Sequence, residues 1–217
     1  KAYDADGKND SKLISEGTSD FLSERIQLIK GEIDIIESSL SEIRKKNDFI
    51  DISSINSLFS SQMIVSNDMT FEIETQTLLA NSFLSKLDSQ RTNELLPLPI
   101  QVGISNSELS TFTSEFNTIV LERSRLLKGR TKDNPEISAL DNQLSNLLVN
   151  LKISVNNYLA NLDLKRNKIN DYDRDLESQL YQLNDTELTI VKFSRDLEVK
   201  AKILLFLLEK TEENALK

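Results

Sequence analysis

Leu22, Ile26, Ile29, Ile33, Ile36, Leu40 and Ile43 advance alternately by four and three residues, with Glu, Lys and Ser between them. That spacing is an a/d seam held over three heptads. It predicts a first helix over residues 1–48, closing near Asn47-Asp48. Residues 49–67 are Ser-rich and lose the period, which predicts a loop with room for a short helix. The period returns in Met69, Ile73, Gln76, Ala80, Phe83 and Leu87, widened by Leu79 and Leu84, and predicts a second helix over 68–88. Pro97, Pro99 and Gly103 break the pattern over 88–104, where LPLPIQVGI can run extended.

Ser105 and Glu108 have the S-x-x-E spacing of a capping box ahead of Leu109, Phe112, Phe116, Ile119 and Leu126. A third helix is expected over 105–128, ending in Lys128 and a left-handed turn at Gly129. Asn134 is placed to cap a fourth helix with Pro135 at its first position, where a missing N–H costs nothing. Ile137, Leu144, Leu148, Leu151, Val155, Tyr158, Leu162, Ile169, Tyr172, Leu176 and Leu183 keep one register, interrupted by Asp141, Lys165 and Gln179. The fourth helix therefore covers 135–184, roughly 70 Å at about 1.5 Å per residue. Asn184-Asp185-Thr186 offers a turn and a new cap, and a final helix follows over 186–214. A helix of that length does not fit a compact globule. The expected fold is all-α: an elongated bundle of about five helices with long antiparallel, coiled-coil-like hairpins. The third helix would cover the first part of the fourth, and the fifth would fold back along its second part.

Composition supports long elements, since 5 Gly and 3 Pro in 217 residues fall far below the usual levels of about 7% and 5%. The net charge of −9, from 35 acidic and 26 basic residues, disfavours nucleic acid as a partner, because affinity for phosphates needs clustered cations. With no Cys and no His, disulfides, Cys/His zinc sites, histidine bases and cysteine nucleophiles are all excluded. The longest apolar run, Ile203–Leu208, is far short of the ~20 residues of a membrane span. The polar start has no secretory signal and no initiator methionine, so the chain reads as a fragment of something larger.

Few features carry chemistry. Asp171, Asp173 and Asp175 imitate the start of a calcium loop, but Leu176 stands where glycine is needed and Gln182 where the bidentate acid is needed. No phosphate-binding glycine loop occurs. Neither enzyme activity, cofactor nor metal is expected of this stretch. Arg123, Arg125, Lys128, Arg130 and Lys132 form a basic cluster in an acidic protein. It reads either as a helix C-terminus complementing its dipole beside a wet loop, or as a docking patch for an acidic neighbouring subunit or anionic polymer. Ile203–Leu208 is apolar all round its helix, which suits core burial and a subunit interface equally. Asn9-Asp10-Ser11 and Asn184-Asp185-Thr186 match the short glycosylation sequon.

Residues 116–159, FNTIVLERSRLLKGRTKDNPEISALDNQLSNLLVNLKISVNNYL, resemble the extracytoplasmic helical region of polysaccharide co-polymerases, the family of chain-length determinants and bacterial tyrosine autokinases. Asn117, Glu122, Arg123, Arg125, Leu126, Leu127, Asn134, Pro135, Leu140, Asp141, Gln143, Leu144, Asn157 and Tyr158 fall on its pattern. TSDFLSERI (18–26), NDFIDI (47–52), EIETQ (72–76) and RDLEVKAKILLFLLEKTEENAL (195–216) extend the resemblance over nearly the whole chain. The sequence departs from the pattern in lacking a proline before the last helix, and at Asp196, Leu205 and Thr211.

The resemblance implies a subunit anchored in the inner membrane of a Gram-negative bacterium by helices outside this stretch. Its periplasmic region would join a ring-shaped homo-oligomer. With the polysaccharide polymerase, export machinery or glycan chain as partner, it would control the length or export of a capsular or exopolysaccharide. Many members end in a cytoplasmic tyrosine kinase domain. Glu122, Arg123, Arg125, Lys128, Arg130, Asn134, Pro135, Asp141, Gln143, Arg195 and Lys200 become candidate interaction residues, with the basic ones of the joint facing a neighbouring subunit. The alternative reading is the α-hairpin region of a periplasmic adaptor of a secretion or efflux system, against which the helical ends count. A cytoplasmic coiled-coil scaffold is a third.

Overall fold

The computed structural model describes residues 2–46, 52–90, 95–100, 102–129, 131, 134–178 and 185–216. Among them the chain is all-α, in five helices and no strand: α1 (Ala2–Lys46), α2 (Ile52–Ser89), α3 (Ser107–Leu127), α4 (Pro135–Ser178) and α5 (Asp185–Ala215). The expected end of α4, residues 179–184, lies outside the described residues, as do Asn47, Asp48 and Asn184.

Two boundaries correct the sequence expectation. Helix α2 begins at Ile52, not near Asp68, so residues 52–67 of the Ser-rich stretch are helix and not loop. Ser disfavours helix only mildly, and residues 49–67 contain neither Gly nor Pro to stop one. The cap of α3 is Asn106, not Ser105. Asn106 is extended (φ −142°, ψ 111°) and its side chain accepts from the Leu109 N–H at 3.0 Å. Ser105 is diverted, because its N–H donates at 2.8 Å to Gln76 Oε1. The left-handed residue among the glycines is Gly103, at φ 89°, and not Gly129. Lys128 closes α3 in a right-handed conformation instead.

Contacts group the chain into two compact units, one from residues 1–23, 76–161 and 210–217, the other from 24–75 and 162–209. The first unit packs α2, α3 and α4 around one core. Ala80, Phe83 and Leu87 meet Leu109, Phe116 and Val120 and, from α4, Leu144, Leu147, Leu151 and Val155, with Leu98 inserted from the proline-rich segment. Each fully buried Leu or Phe in such a core contributes about 1.5–3 kcal/mol. The α2–α4 pairing is antiparallel: Asp88 meets Lys152 and Gln76 meets Tyr158, so one helix runs down as the other runs up. The second unit buries Ile26, Ile29 and Leu40 of α1, Ile73 of α2, Leu162 of α4, and Ile190, Val199 and Ile203 of α5. Phe71 and Phe206 stand edge to face there, 6.4 Å apart at 77°.

Candidate functional site at the helix corner

The corner between α3 and α4 is built by backbone and short side chains. The Lys128 N–H donates to Arg125 O at 3.2 Å and the Gly129 N–H to Leu126 O at 3.1 Å, which ends α3. Asn134 starts α4: its Oδ1 accepts the Glu136 N–H at 2.9 Å and its carbonyl accepts the Ser138 N–H at 3.1 Å, with Pro135 at the first helical position. Inside the corner, Arg123 Nε donates to Asp141 Oδ1 and joins the two helices. Arg123 is 6% exposed, so it cannot present its charge to a neighbouring subunit. That corrects the outward role expected for it. Arg125, further out, pairs through Nη2 with Asp10 Oδ2 on α1. Glu122, Lys128 and Gln143 are exposed on the outer side. Arg130 and Lys132 lie outside the described residues.

The proline-rich segment beside this corner sets a hydrogen-bonding problem. Pro97 and Pro99 donate nothing, so the segment cannot join a ladder, yet Leu98 is buried and its backbone groups need partners. Asn117 of α3 supplies both: Oδ1 accepts the Leu98 N–H at 2.7 Å, and Nδ2 donates to Leu98 O at 2.8 Å. Thr18 Oγ1 on α1 accepts the Ile100 N–H at 3.4 Å. Gln76 of α2 completes the clamp. Its Nε2 donates to Gly103 O at 2.9 Å, while its Oε1 accepts from the Ser105 N–H and the Tyr158 hydroxyl, both at 2.8 Å. Sequence reasoning placed Gln76 on a seam and Asn117 and Tyr158 on a pattern, and missed that they grip the segment. The available signal was a polar residue on a seam position with a donor-poor stretch nearby. Phe83, Pro99, Ile100, Val102, Ile104 and Leu109 line a small open cleft of about 60 Å³, well below the ~300 Å³ of a typical ligand pocket.

In the second unit the remaining candidates also turn inward. Arg195 donates through Nη1 to Asp173 Oδ2 at 2.6 Å and through Nη2 to Ser66 Oγ (2.9 Å) and Thr70 Oγ1 (2.8 Å). Ser66 closes the ring on Asp173 Oδ1 at 2.6 Å. Lys200 Nζ lies 2.7 Å from Glu32 and 3.0 Å from Glu74, bridging α5, α1 and α2. Burial alone would lower its pKa, but the hydrogen bonds and charges of Glu32 and Glu74 outweigh it and hold the pKa above the ordinary 10.5. Asp196, exposed as a residue, has its carboxyl raised above the usual 3.8 by partial burial and then by Glu74. Of the three calcium-like aspartates, Asp171 pairs with Arg174 and Asp173 with Arg195. No acidic group among the described residues is arranged to hold a metal ion, and no described helix is long and apolar enough to cross a membrane.

Of the expected interaction residues, then, Arg123, Asp141, Arg195 and Lys200 tie helices together within the subunit, Asn134 and Pro135 build the corner, and Glu122, Lys128 and Gln143 face outward. Comparison of the chain with family models, with curated proteins and with solved structures finds no match in any of the three.

Proposed function

We propose that this chain is the extracytoplasmic helical region of an inner-membrane polysaccharide co-polymerase, one that assembles with copies of itself and controls the chain length or export of a surface polysaccharide. The supporting observation is where the pattern residues fall. Of the residues that carry the resemblance, Asn117 holds the proline-rich segment and Tyr158 holds the Gln76 that clamps it, while Arg123, Asp141, Asn134 and Pro135 fix the α3–α4 corner. A family pattern made of corner and clamp residues is what a geometric device requires. Its work is to hold long helices at set angles and pose an outer surface, with no bond made or broken. Glu122, Lys128 and Gln143 then belong to that surface, with Arg130 beside them in sequence.

The decisive experiment removes residues 1–217 from the chromosomal gene and runs the cell-surface polysaccharide on a gel. The expected outcome is a lost or shifted modal chain length, restored by the intact gene. An unchanged length distribution and yield would overturn the reading. Loss of secretion or efflux with a normal polysaccharide would favour the adaptor. Membrane spans encoded on both sides of the segment are a second expectation of the proposal.

A further inference from the structure

In the second unit α1 and α5 lie side by side, and each carries more apolar positions than their contact buries. They run antiparallel: from Ser15 to Glu32 along α1, the partner on α5 falls from Asn214 to Lys200. The Glu32–Lys200 bridge sets the register, with Leu28 level with Leu204, Gly31 with Ala201 and Ile35 with Leu197. The buried seams are Ile26 and Ile29 on α1 and Val199, Ile203 and Leu207 on α5. Beside them run two further lines at heptad spacing. One is Glu24, Leu28, Gly31 and Ile35, in steps of four, three and four; the other is Leu197, Ala201, Leu204 and Leu208, in the same steps. Leu28 and Ile35 are 49% and 67% exposed and Leu208 40%, while Leu197 and Leu204 are half-buried. Two such lines on neighbouring helices form the groove into which a third helix packs. Gly31 and Ala201 open its middle. A Cβ at Gly31 would meet nothing within 4 Å, so packing inside the subunit does not call for glycine there, although glycine in mid-helix costs about 0.5–1 kcal/mol against alanine. These small residues let a third backbone come close.

Charge decides what kind of helix fits. Gln27 and Asp34 flank the line on α1, and Glu198 and Leu205 flank the line on α5, so the outer flanks hold acids and neutral residues and no cation. The cations close to the groove are already engaged: Lys200 by Glu32 and Glu74, Lys202 by Asp68 and Glu198, and Arg25 by Glu24. The second unit also carries most of the chain's net charge of −9. A helix with Lys or Arg beside its apolar seam meets complementary charge here, whereas another copy of this acidic chain does not.

We propose that the α1–α5 groove of the second unit receives a basic amphipathic helix of a different protein, with its apolar residues over Leu28, Ile35, Leu204 and Leu208 and its cations toward Asp34 and Glu198. The groove is read from α1 and α5 alone and does not depend on the co-polymerase reading.

The probe is a labelled synthetic peptide of about three heptads, with Leu at the a and d positions and Lys at e and g. A scrambled peptide of the same composition is its control. Fluorescence anisotropy with the 217-residue chain is expected to show the heptad peptide binding about tenfold tighter than the scrambled one. Ala201→Lys, at an exposed position, puts a like charge in the groove and should weaken that binding about tenfold. Ser124→Lys adds the same charge on exposed α3 and should leave it within about twofold. Circular dichroism checks that both variants are folded. Equal binding of the two peptides, or an equal effect of the two substitutions, would overturn the proposal, since acidity alone would then account for the attraction. So would a dimer of the chain by itself that Ala201→Lys disperses, which would make the occupant a second copy.

Discussion

Arg123 and Asp141 form one ion pair, but the two partners differ in their access to water, and that difference decides the effect of removing either. Asp141 keeps 32% of its side chain exposed, against 8% for Arg123. In Arg123→Ala the orphaned carboxylate rehydrates, so the cost is about 1–2 kcal/mol, mostly lost hydrogen bonding and packing of the arginine stem. In Asp141→Ala the guanidinium stays buried and unmatched, and the cost rises to about 3 kcal/mol. Urea denaturation of the two variants is expected to rank them in that order; the reverse order would mean that Arg123 reaches solvent. Asn117 is a stricter case, since both Leu98 backbone groups depend on its amide. Asn117→Leu is expected to cost about 2–4 kcal/mol, two buried groups at roughly 1–2 each. Faster proteolysis between Pro97 and Gly103 should accompany the loss, because the segment is released.

At the scale of elements, Lys200 shows how side chains bind helices to one another, holding α5 against Glu32 of α1 and Glu74 of α2. A pKa raised on folding means that the folded state keeps the proton longer than the unfolded chain does. The stability it contributes is therefore complete below the ordinary value of 10.5 and is lost as pH climbs through the higher folded value. Lys200→Met should be less stable than the parent by a constant amount from about pH 7 to 10, with the gap narrowing above that. A gap unchanged at pH 11 to 12 would show that packing of the lysine stem, not its charge, is responsible. The same scale shows what a sequence reveals. Asn134 and Pro135 at the start of α4, and the buried register from Ile137 to Leu162, were legible because apolar periodicity and caps are written locally. The first part of α2 was not, because a Ser-rich stretch without periodicity looks like loop even where, as here, no Gly or Pro stops a helix. The cap at Asn106 was missed because Ser105 has the right pattern but gives its N–H to Gln76, far away in sequence. Periodicity finds the faces that hide from water; it does not report which polar groups hide with them, and Gln76, Asn117 and Arg123 are of that kind.

At the scale of the whole molecule, the missing residue types matter as much as those present. Without His or Cys, the protein has few groups that change charge near neutrality. The ordinary ranges of carboxyl groups on one side, and of Lys and Tyr on the other, lie well away from neutrality. Stability is therefore expected to be flat from about pH 6 to 9, apart from the chain's own amino end. The raised pKa values of Lys200 and Lys202 move those groups further from this window. Asp196 moves toward it, so it contributes on the acid side of the plateau. A carboxyl raised on folding binds its proton more tightly in the folded state, so ionising it opposes folding. Approached from acid, this one group lowers stability as pH rises through its folded pKa, opposite in sign to a carboxylate held by a cation. Asp196→Asn should consequently stabilise the protein at pH 7, and the gain should vanish below the ordinary carboxylate range. Urea midpoints measured at half-unit intervals between about pH 3 and 9 test both statements. A slope in the middle of the plateau would point to a carboxylate displaced by several pH units. A destabilised Asp196→Asn would mean that Arg195, Lys200 and Lys192, which pull the pKa down, prevail over the burial and Glu74 that push it up.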